Sequence, residues 1–203
     1  MPGMIDRRPA PSTRSPRLAS LALLAAAACA GAALAGCGSP ARPLESSLTD
    51  MDSLQLRSWL SPALRRNIDL LPVQGGEETS RWWGSRINAM TLNQTYQESL
   101  RRLGLMPDVP DTGRYQLKVE MLALAQPNVP IAPEVAVSVR YTLTERAAGG
   151  GNVIYQRVLR TTQKAGIDDS LNPTEQLRIA TESALRNNIA ELMRELASLP
   201  LPN

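Results

Sequence analysis

The chain has 203 residues, of which 43% are hydrophobic and 20% are charged, so it can form one ordinary domain with a buried core. It contains no histidine and two cysteines, which excludes a Ser-His-Asp triad, a Cys-His pair, a histidine-ligated zinc ion and a four-cysteine metal site. Its formal charge of +3 favours an acidic partner only if the basic residues belong to the folded domain.

The N-terminus has the three-part organisation of a bacterial export signal. Four arginines and one aspartate in residues 1–17 precede an uncharged run, rich in Ala and Leu, at 18–36. This run is long enough to span a membrane, and an uncleaved signal anchor is therefore the alternative interpretation. However, the run leads into Leu34-Ala35-Gly36-Cys37, which matches the lipobox of bacterial lipoproteins at every position.

The lipobox implies a covalent lipid anchor at Cys37. The small residues Ala35 and Gly36 suit an extended backbone in a narrow protease site, and Leu34 suits an apolar pocket upstream. The resemblance to lipoprotein precursors implies attachment of diacylglycerol to the Cys37 thiol, cleavage between Gly36 and Cys37, and acylation of the new amino terminus. Two or more acyl chains anchor a protein stably, whereas one does not. Cys29 lacks the upstream leucine and is the weaker acceptor.

Cleavage would remove the excess of basic residues. Residues 1–36 contain four arginines and one aspartate, so the mature chain has equal numbers of basic and acidic residues. We therefore expect no nucleic acid as partner, because phosphate recognition needs clustered Lys and Arg. Gly38 stands where an aspartate tends to retain lipoproteins in the inner membrane. The resemblance thus implies an outer-membrane lipoprotein on the periplasmic face.

The mature chain is predicted to be a tether followed by one domain. Small and polar residues at 37–48 indicate a lipidated cysteine with a flexible tether. Residues 49–66 are ambiguous, since Thr49 can cap a short helix that Pro62 would interrupt. The apolar residues of this helix are Leu54, Leu56, Trp59 and Leu60. Residues 67–198 are predicted to form a single α+β domain.

The first half of that domain is predicted to form a strand and a helix. A short apolar run at 68–73 predicts the strand. Apolar residues at helical spacing predict a helix at 91–103. Thr91 and Gln94 have the spacing of a capping box, and Gly104 is the expected stop.

The second half reads as three strands and a long helix. Apolar and polar residues alternate at 115–121 and 135–143, and more weakly at 153–162. Asn172 is the expected cap of the last helix, Pro173 its first residue. The simplest arrangement is an α+β two-layer sandwich, with an antiparallel sheet of about four strands and two helices on one face. The other sheet face is polar and can meet water or a partner.

No motif in the mature chain predicts an enzyme, a cofactor or a metal site. The acid pairs Glu77-Glu78 and Asp168-Asp169 fall in predicted loops, where acids are usually solvated. The only lysines, Lys118 and Lys164, are poorly placed to activate a serine. Trp82 and Trp83 lie in a polar loop and are candidate partner contacts. Alternatively, one or both cover the open edge of the core.

The stretch from 75 to 196 resembles a family of small proteobacterial envelope lipoproteins without an assigned function. The residues that carry this resemblance are Gly75-Gly76, Thr79, Trp83-Gly84-Ser85, Leu103-Gly104-Leu105, Tyr115-Gln116-Leu117, Val139-Arg140-Tyr141-Thr142-Leu143, Leu177-Arg178-Ile179-Ala180 and Ala184-Leu185-Arg186-Asn187-Asn188-Ile189. The order of elements also resembles the auxiliary lipoproteins of envelope ABC transporters and the lipopolysaccharide-assembly lipoprotein, which is analogy only.

These observations lead to three hypotheses. The first is a non-enzymatic, membrane-anchored lipoprotein that binds an envelope protein as an accessory of a transport or assembly system. The second is a carrier of lipid or glycolipid, which needs an enclosed apolar cavity. The third is an enzyme that uses carboxylates alone, which needs carboxylates that converge in a cleft.

Overall fold

Four α-helices and four β-strands are found in the residues that the computed structural model describes, which are 40–76, 87–127, 133–147 and 151–201. In chain order they are α1 (Pro43–Ser46), α2 (Asp50–Trp59), β1 (Ile68–Leu70), α3 (Ala89–Leu103), β2 (Tyr115–Ala125), β3 (Glu134–Glu145), β4 (Asn152–Lys164) and α4 (Pro173–Ala197). A 3₁₀ turn at Pro62–Leu64 lies between α2 and β1. Every described residue belongs to the unit Cys37–Asn203.

The strands form one sheet in the order β1-β2-β3-β4, which confirms the predicted α+β class. β2, β3 and β4 are antiparallel neighbours, with Val119 opposite Tyr141 and Tyr141 opposite Arg157. β1 is parallel to β2, so the sheet is mixed rather than wholly antiparallel. The connection from β1 to β2 contains α3, and such a long crossover returns the chain to the same end of the sheet.

Both long helices pack on one face of the sheet. α4 contacts β3 and β4, and α3 meets β3 where Tyr96 and Tyr141 lie edge to face, with ring centroids 6.0 Å apart. α1 and α2 contact α3 and α4, so they add a second helical layer on that side. α4 is therefore enclosed between the sheet and the N-terminal helices, and more than half of its residues are buried. The core has no phenylalanine, and Tyr96, Tyr115 and Tyr141 are its largest fully buried side chains.

The helix ends follow the predicted signals with one exception. α3 ends at Gly104, which has φ 68° and ψ 31°, a left-handed conformation that glycine adopts without a Cβ penalty. Asn172 caps α4 by accepting a hydrogen bond from the Thr174 N–H at 2.9 Å. The predicted Thr91–Gln94 cap of α3 is wrong, because Asn88 lies in extended backbone and accepts from the Thr91 N–H at 2.7 Å. Both residue types cap helices well, so the spacing alone does not select one.

Residues 41–48 differ from the flexible tether that their composition indicates. Pro43–Ser46 form the short helix α1, and four residues of this stretch are buried: Ala41, Ser46, Ser47 and Leu48. Thr49 caps the start of α2, and its side chain forms a capping box with that of Asp52. Of the apolar residues predicted for this helix, Leu56 and Leu60 are buried, whereas Leu54 and Trp59 are exposed.

Candidate functional site

The residues that the sequence singles out as sites lie outside the described residues. They are Leu34, Ala35, Gly36 and Cys37 of the lipobox, and Trp82 and Trp83. The described chain begins at Pro40, three positions after Cys37. The stretch that follows is therefore the described part of the domain closest in sequence to the predicted lipid anchor.

We call residues 41–48 the N-terminal segment. Hydrogen bonds attach both of its ends to the long helices. The backbone N–H of Arg42 donates to Oε1 of Glu182 in α4 at 2.8 Å. The N–H of Leu48 donates to Oγ of Ser99 in α3 at 3.2 Å, and the Leu48 carbonyl accepts from Nη1 of Arg102 at 2.8 Å. With Leu48 fully buried, the segment is part of the folded domain.

A buried ion pair supports the first of these attachments. Nη1 of Arg178 lies 2.6 Å from Oε1 of Glu182, and the two side chains are only 8% and 4% exposed. Arg178 also binds Glu175 one turn earlier. The hydrogen bond with Glu175 is the main cause of a raised pKa of Arg178, and the same bond lowers the pKa of Glu175. Arg178 and Glu175 therefore stay charged at neutral pH, and Oε1 of Glu182 accepts both from Arg178 and from the Arg42 N–H.

The second attachment has its own ion pair. Nε of Arg102 lies 2.9 Å from Oε1 of Glu98, and Nη1 of Arg102 lies 3.3 Å from Oδ1 of Asp50 at the start of α2. The hydrogen bond from Arg102 is the main reason that the pKa of Glu98 is lowered. Arg102 thus links α3 to the Leu48 carbonyl and to the first residue of α2.

The opposite side of the molecule is the outer face of the sheet. Polar side chains pair on this face both within β2 and between β2 and β3, as expected from the alternation in the sequence. Oε1 of Glu120 lies 3.0 Å from Nζ of Lys118, and Oε2 lies 3.7 Å from Nη1 of Arg140. The hydrogen bond from Lys118 lowers the pKa of Glu120, which keeps the carboxylate ionised. β4 forms the edge of the sheet and exposes Gln156 and Val158 on this face.

Several carboxylates and lysines have structural partners. Asp69 is buried and accepts from the N–H of Asp111 at 3.1 Å and of Gly113 at 2.8 Å, and it pairs with Arg146 at 3.1 Å. Lys164 pairs with Glu134 at 2.8 Å. Asp168 and Asp169 are exposed, while Glu77 and Glu78 lie outside the described residues. In the described part of the chain, no three Asp, Glu, Cys or His side chains form a group that could hold a metal ion.

Four clefts formed by described residues have volumes between about 220 and about 690 Å³ and open to solvent. The cleft of about 690 Å³ lies beside the C-terminal end of α3. Its lining includes Arg66, Asp69, Arg101, Asp108 and Asp111. Such charged walls suit water or a polar ligand better than an acyl chain.

No helix within residues 40–76, 87–127, 133–147 and 151–201 is long and apolar enough to cross a membrane. No family model and no curated protein matches the sequence.

Solved structures give distant likenesses. A hypothetical protein from Chlamydia trachomatis aligns with 65% of this chain and 98% of its own at 12% identity and a TM-score of 0.49. A protein from Xanthomonas campestris aligns with 66% of this chain and 87% of its own at 14% identity and a TM-score of 0.49. A minor lipoprotein from Acinetobacter baumannii aligns with 70% of this chain and 97% of its own at 16% identity and a TM-score of 0.41. These values are too low to transfer a function to this chain.

Proposed function

We propose that this chain is a membrane-anchored lipoprotein that binds a protein partner in the bacterial envelope and catalyses no reaction. The observation that carries the proposal is the order of three features: a basic N-terminus, an apolar run and the lipobox that ends at Cys37. By this proposal the mature protein starts at Cys37 and faces the periplasm from the outer membrane. It serves there as an accessory of a transport or assembly system.

The outer face of the sheet is the partner surface that we favour. It carries both signs of charge, with Val158 exposed among polar side chains, which suits a reversible protein contact with a polar surface. The paired side chains of Lys118, Glu120 and Arg140 hold these charges in fixed positions. A lipid-carrier role receives less support, because the cleft of about 690 Å³ has charged walls.

Replacing Cys37 by alanine should abolish palmitate labelling and leave the unprocessed precursor in cells that express the full chain. The thiol of Cys37 is the group to which the proposal attaches the lipid, and signal cleavage follows lipidation. Labelling followed by gel electrophoresis measures both effects. Cys29→Ala is the matched control and should be labelled and processed normally. Normal labelling of Cys37→Ala would refute the lipobox interpretation.

A photo-crosslinking residue at Gln156 should yield one discrete adduct with an envelope protein in intact cells. Gln156 is exposed on the outer face of β4, where it lies opposite Thr142. The control position is Leu171, which is 86% exposed in the loop before α4. Immunoblotting shows the adduct, and mass spectrometry identifies the partner. Equal, diffuse adducts with abundant envelope proteins at both positions would contradict a specific partner at this face.

A further inference from the structure

The outward side of α2 exposes large apolar side chains, which a surface helix ordinarily buries. Met51 is 77% exposed, Leu54 is 66% exposed and Trp59 is 51% exposed, and Leu44 in α1 is 64% exposed. At about 100° per residue, Met51 and Leu54 fall on the side of α2 opposite to its buried residues, and Trp59 lies at the edge of that side, about 90° from the centre of the buried pair. Those buried residues are Ser53 and Leu56. We call the exposed set Leu44, Met51, Leu54 and Trp59 the apolar face.

The apolar face has no charged residue at its centre. The two other residues on this side of α2 are Gln55 and Ser58, which are uncharged. The charged residues of α2 lie on its flanks, and one of them, Arg57, donates to the carbonyl of Arg102. Contact with a surface through this face would therefore rely on apolar burial rather than on charge attraction.

The length of chain between the predicted lipid anchor and the domain indicates what covers this face. Four residue steps separate Cys37 from Ala41, the first buried residue, and four steps span at most about 14 Å. After Ala41 the N-terminal segment is attached to α3 and α4 and leads directly into α2. A lipid on Cys37 would thus keep α1 and α2 beside the bilayer.

We infer that the apolar face lies in the headgroup region of the membrane and inserts its side chains toward the acyl chains. This inference rests on the proposed lipidation of Cys37 and adds a second contact to it. Leucine and tryptophan are the residues that interfacial helices bury in this region. Since α1 and α2 and the sheet lie on opposite sides of the long helices, the outer sheet face then points away from the membrane, toward a soluble partner.

Nitroxide labels on the mature lipidated chain test this orientation. Cys29 is removed with the signal and the Cys37 thiol is acylated, so a cysteine introduced elsewhere is the only free thiol. One label replaces Leu54, and the matched control label replaces Val158, which is 52% exposed on the outer sheet face. The chains are reconstituted in phosphatidylcholine vesicles, and collisions with a water-soluble nickel complex are measured by electron paramagnetic resonance.

In the vesicles, we expect the collision rate at position 54 to be about fivefold lower than the rate of a label that is exposed to water. At position 158 we expect about the rate of a water-exposed label. Met51→Asp should restore access at position 54 while the chain still floats with the vesicles, since the lipid remains. Equal access at 54 and 158 would overturn the inference. Protection that needs anionic lipid and disappears at high salt would also overturn it, because the face is uncharged.

Two further outcomes separate this inference from the proposed function. If neither labelled chain floats with vesicles, the lipid anchor at Cys37 is absent, and this result refutes the proposed function itself. If both chains float with vesicles and the label at position 54 collides freely with the nickel complex, the lipid anchor is present and only the inferred orientation of the apolar face toward the membrane is wrong.

Discussion

Replacing Arg178 by methionine should lower the free energy of unfolding by about 3–5 kcal/mol, because it leaves the buried carboxylate of Glu182 without a counter-charge. Glu182 is 4% exposed, and Nη1 of Arg178 lies 2.6 Å from its Oε1. The backbone N–H of Arg42 is a neutral donor to the same oxygen and does not replace a cation. Urea denaturation of the mature chain, followed by circular dichroism, measures the change.

Two variants test the physical reason. The double variant Arg178→Met with Glu182→Met removes both charges and should recover at least half of the loss, since a buried pair is often replaceable by apolar residues. Arg194→Met breaks the exposed pair with Glu191, whose side chains are 54% and 45% exposed, and should cost about 0.5 kcal/mol or less. An equal loss of unfolding free energy in Arg178→Met and Arg194→Met would show that the burial of the Arg178–Glu182 pair does not increase the cost of breaking it.

Replacing Asn188 by alanine should lower the free energy of unfolding by about 3 kcal/mol, because several buried polar groups lose their partners together. The hydroxyl of Tyr141 donates to Oδ1 of Asn188 at 2.7 Å. Nδ2 of Asn188 donates to the Leu159 carbonyl at 3.2 Å and to Oγ1 of Thr161 at 3.1 Å. The Asn188 side chain therefore joins α4 to β3 and β4. Denaturant unfolding at an unchanged m-value measures its contribution.

Tyr96→Phe is the matched control for Asn188→Ala. The hydroxyls of Tyr96 and Tyr141 lie 2.7 Å apart, and burial is the main cause of the raised pKa of each, so both remain protonated. Tyr141 donates to Asn188, so the Tyr96 hydroxyl donates to Tyr141. Its removal takes away one bond and leaves the Tyr141 donor satisfied, at a cost of about 1 kcal/mol. A loss as large as that of Asn188→Ala would show that Tyr96 has a further partner.

The polar residues inside α4 were beyond the reach of the sequence pattern. The buried stripe was identified from apolar residues alone, so it left out Arg178, Glu182 and Asn188, although Asn188 stands four residues after Ala184 and four before Leu192. They are buried because α4 lies between two layers: Asn188 faces the sheet, and Glu182 faces the N-terminal segment. Arg178 and Asn188 are among the residues that carry the family resemblance, but the resemblance implies no role for either of them.

Of the candidate functional site, only the lipid attachment at Cys37 could be predicted from the sequence. The lipobox prediction depends on adjacent residues, and it remains a prediction because Cys37 lies outside the described residues. The attachment of the N-terminal segment was not predictable. It depends on pairs such as Arg42 with Glu182 and Leu48 with Ser99, which are far apart in the chain. Small, polar residues at 38–48 look like a flexible linker until their partners are known.

The sequence alone determined the features that depend on neighbouring residues. These are the helix stop at Gly104, the Asn172 cap, the alternation in β2 and β3, and the predicted lipid anchor. Tertiary structure decided which surfaces are covered: the N-terminal segment became part of the domain, and the apolar side of α2 was left outside. Periodicity and capping arise within a few residues, whereas burial arises when distant elements meet. The sequence by itself therefore placed the excess of basic residues in the predicted export signal, while only the fold showed that the outer sheet face and α2 lie on opposite sides of the long helices.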